Sequence, residues 1–122
     1  VYSDMAALVA FIKSGHVKAI ALTTPKRSAI LPDLPTISES GVPGYDATSW
    51  YGILGPAGMP REIVNKLNAE LGKILQSAEM KERFASMGIE PVTGTPEAFT
   101  TYIREQVAKW SAVVKASGAE LE

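Results

Sequence analysis

Cysteine is absent from the 122 residues, and histidine occurs once. The first absence excludes thiolate nucleophiles, disulfides and cysteine-held zinc or iron–sulfur centres, while leaving oxidising and reducing compartments equally open. The second excludes a histidine-rich metal site within one chain. A Ser-His-Asp triad would have to use His16, which follows Gly15 and reads as a solvated loop residue. Charge of one sign is missing too. Twelve basic residues against 13 acidic ones leave a formal net charge of -1, without basic or acidic blocks. Phosphate backbones find no attraction in such a chain, and nucleic acid is not expected as a partner. No apolar run approaches the roughly 20 residues of a membrane span, because Lys, Ser or Gly interrupts each one. The first residues carry no positive region followed by an apolar segment, so no targeting signal is read in them. The opening at Val1, without a turn or cap signal before it, reads as a cut through a longer protein.

What is present is a hydrophobic fraction of 46% with 20% charged residues, the profile of one soluble globular unit able to bury a core without metals or disulfides. Met5, Leu8, Val9 and Ile12 have helical spacing behind Asp4, an N-cap residue type, and Gly15 stands where a helix ends, which predicts a helix over 5–14. The segment 17–24 is apolar on both faces through its middle and reads as a buried strand. From Pro25 to Gly44 four prolines (Pro25, Pro32, Pro35, Pro43) fix the backbone, with room for one helical turn at 36–40. A second strand is expected over 50–54, and a short one over 89–92. Pro60 precedes an apolar stripe of Ile63, Val64, Leu67, Leu71, Ile74 and Leu75; Ser77 caps a shorter helix ending at Gly88. Thr95-Pro96-Glu97 starts a last helix, whose face of Phe99, Tyr102, Ile103, Val107, Trp110, Val113 and Val114 is expected in the core. Alternating helices and strands give an α/β class whose sheets are short of strands and are covered by amphipathic helices.

By Arg27 the order of short motifs becomes specific: Gly15–Thr24 (GHVKAIALTT), Arg27-Ser28, Leu31-Pro32-Asp33-Leu34-Pro35-Thr36, Glu39-Ser40-Gly41-Val42-Pro43-Gly44, Trp50-Tyr51-Gly52 and Gly55-Pro56-Ala57-Gly58-Met59-Pro60. Met87-Gly88-Ile89-Glu90-Pro91, Thr95-Pro96-Glu97-Ala98-Phe99 and Lys109-Trp110 continue it. In this order the chain resembles the C-terminal part of the Bug family, the TctC-like extracytoplasmic solute receptors of tripartite tricarboxylate transporters. The resemblance implies a type II periplasmic binding protein: two α/β domains closing on a small carboxylate ligand and delivering it to the membrane subunits of a transporter. It implies a periplasmic location, no enzymatic activity and no cofactor. Residues 1–48 would end the second ligand-binding domain, and 49–122 would supply a crossing strand and the C-terminal helices of the first.

Five residues are candidates for the ligand site. Asp4 is both an N-cap and, by the resemblance, a residue on the cleft side; Thr23 and Thr24 lie at a strand end, where ligands sit in open α/β sheets. Trp50 and Tyr51 offer large amphipathic faces for a cleft wall or hinge. Arg27, Pro32, Pro35 and Thr36 read as the structural loop, with Arg27 fastening it to its domain. No catalytic or metal residue is nominated. Glu97 and Glu105 lack the pattern of an acid/base pair, and Gly55 and Gly58 flank prolines rather than forming a phosphate cradle. A different class of function stands beside the receptor: a stand-alone α/β interaction module that self-associates through unpaired sheet edges. A small enzyme is disfavoured by the same absences that open this section.

Overall fold

The computed structural model describes residues 2–119. Four α-helices follow in order: α1 (Met5–Lys13), α2 (Arg61–Gln76), α3 (Ala78–Met87) and α4 (Pro96–Ser117). Each begins or ends where its sequence signals. The Ser77 hydroxyl accepts from the Met80 amide and the Thr95 hydroxyl accepts from the Ala98 amide, which satisfies orphan donors of the first turn of α3 and of α4. Gly88 and Gly118 close the same helices in the left-handed region, at φ 72 and φ 66, a conformation that a Cβ disfavours.

The chain forms two compact units. One takes in the residues up to Leu54 together with Gln76–Pro91, and the other takes in Gly55–Leu75 together with the residues from Val92 on. In the first unit α1 packs on α3. The contact is close at Gly88, where an added Cβ would lie 2.6 Å from the Met5 sulfur and 3.2 Å from Ile30 Cδ1. The centre of this unit is Leu22, 8% exposed, beside Thr36, 1% exposed.

The expected strands are not formed as ladders among the described residues. Segment 17–24 makes one parallel bridge, Leu22 to Thr36. The Leu22 amide donates to the Pro35 carbonyl at 2.8 Å, and the Leu22 carbonyl accepts from the Ile37 amide at 2.9 Å. The ladder stops there for local reasons. Pro35 has no N–H to extend it on one side, and on the other the chain turns at once, the Ser40 amide donating to the Thr36 carbonyl at 3.1 Å. Segments 50–54 and 89–92 make no bridge. A strand needs a neighbour to complete its hydrogen bonds, and none of the described segments supplies one.

The core expected from the helix stripes is also thinner than the pattern implies. No helical residue is fully buried. Phe99, Tyr102 and Ile103 are half-buried, whereas Val107, Trp110, Val113 and Val114 on the same expected face are exposed, as are Ile63, Leu67 and Ile74 of α2. Amphipathic periodicity states which face seeks cover, not that cover is at hand.

Candidate functional site

The carboxylate of Asp4 stands at the N-cap position of α1, with extended backbone at φ -66, ψ 138, yet it makes no capping bond. Its oxygens are used elsewhere. The Tyr51 hydroxyl donates to Asp4 Oδ2 at 2.5 Å, and the Ser49 side chain bonds to the same carboxylate. These two hydroxyls, Ser49 first and Tyr51 second, hold the Asp4 carboxyl below the usual carboxylate range. Tyr51 is pushed the other way, because ionising the phenol would break its bond to Asp4 and set two negative charges together. Four residues before Tyr51 the same segment is anchored again, as the Ala47 amide donates to the Thr23 carbonyl at 2.9 Å. Segment 47–51 thus brings the start of α1 and the end of segment 17–24 to one strip of chain. Asp4, Thr23 and Tyr51 of the sequence candidates meet along it, and Trp50 lies within it. Thr24 does not join them: its hydroxyl donates to the Lys26 carbonyl at 2.7 Å in a local turn. Ser49 was missed in the sequence, where it stood as an unremarked neighbour of Trp50.

The proline segment is held by a second polar group. Thr36 and Glu39 bond reciprocally, the Thr36 amide donating to Glu39 Oε2 at 2.9 Å and the Glu39 amide donating to Thr36 Oγ1 at 3.0 Å. This is the capping-box geometry, legible as Thr36-x-x-Glu39 but not drawn from the sequence above. Arg27 completes it, with Nε 2.9 Å from Glu39 Oε2 and Nη1 donating to the Pro32 carbonyl at 3.2 Å. One side chain therefore ties both halves of the segment between Pro32 and Glu39, while Pro35 occupies the bridge to Leu22. The Thr36 amide, then Arg27, hold the Glu39 carboxyl below its ordinary value.

Two shallow clefts lie elsewhere. In the second unit, about 340 Å³ is lined by residues that include Met59, Arg61, Asn65, Glu97 and Thr100, with Arg61 and Glu97 paired across it. In the first, about 420 Å³ is lined by residues that include Ile12, Val17, Lys18, Ile30 and Leu31. His16 is exposed, its Nδ1 2.7 Å from Ser14 Oγ. Among the described residues no group of three or more His, Asp or Glu could hold a metal ion. No described helix is long and apolar enough to cross a membrane.

The profile of the tripartite tricarboxylate transporter family receptors, TctC, matches residues 1–119. The chain belongs to this family. Among its TctC relatives, BugT of Bordetella pertussis is 34% identical over 119 residues, 98% of this chain and 36% of BugT. A protein encoded in the TAR-I ttuE-ttuC' intergenic region of Agrobacterium vitis is 34% identical over 110 residues, 88% of this chain and 32% of that protein. Two solved structures share the fold: the periplasmic binding protein BugD, at TM-score 0.85 and 37% identity over 94% of this chain and 39% of BugD, and Rpa4515 of R. palustris with adipate, at TM-score 0.84 and 35% identity over 93% of this chain and 38% of Rpa4515. The chain thus spans between 32% and 39% of the length of these relatives. The fold matches part of a periplasmic binding protein, and the family is one of solute-binding receptors.

Proposed function

We propose that the chain is the C-terminal part of a periplasmic receptor that captures a small organic acid and hands it to the membrane subunits of a tripartite tricarboxylate-type transporter. The observation that carries this reading is the likeness, over nearly the whole chain, to a binding protein solved with adipate. The local geometry is compatible with binding: hydroxyls and backbone groups are gathered along segment 47–51. In this reading residues 1–48 end one ligand-binding domain, and 49–122 cross back and supply the last helices of the other. Segments 17–24 and 50–54 then join sheets whose remaining strands come from the rest of the receptor. Isothermal titration of the complete gene product with adipate, shorter dicarboxylates, citrate and amino acids is expected to give saturable heat with at least one of them. Absence of heat with every acid would sink the proposal.

A second reading is supported by the exposed apolar residues of the first unit, where Ile20 is 82% and Leu54 72% exposed. If the 122-residue chain is made by itself, unpaired edges of this kind favour self-association. Light scattering of the isolated chain is expected to return a mass above 13.0 kDa, and a clean monomer would remove this alternative.

A further inference from the structure

We draw no further inference here: the strongest candidate, the shallow apolar groove of the first unit lined by Ile12, Val17, Ile30 and Leu31, is an unpartnered face, and nothing in the structure shows what covers it.

Discussion

At Glu39 one carboxylate answers the Thr36 amide and the Arg27 guanidinium together, and both favour its ionised form. A depressed folded value means that the stabilisation is fully present above the ordinary glutamate value near 4.5 and is lost as pH falls through the folded one. Urea unfolding of the complete protein between pH 3 and pH 7 is therefore expected to show a Glu39→Gln variant less stable at neutral pH and level with wild type at the acid end. A constant difference across the range would mean that the charge of Glu39 is irrelevant. The same sign holds at Asp4. Carbon-detected NMR titration should find its carboxyl below the usual aspartate range, and Tyr51→Phe should raise it while Ser49 still holds part of the shift. An unchanged midpoint in that variant would show that the phenol contributes nothing.

Among the elements, the helices carry their own boundaries, and each boundary is separately testable. Thr95→Ala removes the hydroxyl that accepts from the Ala98 amide and should cost about 1 kcal/mol, read as a lowered unfolding midpoint. Gly88→Ala should cost more than a cap. It places a Cβ in the left-handed region, at a penalty of about 1–2 kcal/mol, and drives it against the Met5 sulfur, 2.6 Å from where the Cβ would stand. A thermal midpoint unchanged by Gly88→Ala would refute the close approach of α1 and α3. The strand segments have no such autonomy. Leu22 pairs with Thr36 because the neighbouring segment is carried to it by the Arg27–Glu39 pair and the prolines, and the ladder ends within a residue on either side.

Considered as a whole molecule, the chain leaves large apolar side chains exposed, Ile20, Ile53, Leu54 and Val92 among them. On the receptor reading, amides of segments 17–24 and 50–54 should exchange with solvent deuterium quickly in the isolated 122-residue chain and slowly in the complete gene product, where further strands complete their ladders. Equal, fast exchange in both would show that these segments never join a sheet. Helix identities, caps, the proline segment and the family itself were legible in the sequence, because helical hydrogen bonds close within a few residues and a motif is a property of residue order. Asp4 and Tyr51 were legible as candidates, but not as partners. Whether Asp4 capped its helix or bonded elsewhere, whether the Phe99 to Val114 face was covered, and whether 17–24 was paired were decided only by the tertiary structure. Each depends on a group distant in sequence: the hydroxyls 45 and 47 residues after Asp4, a covering surface, and a neighbouring strand.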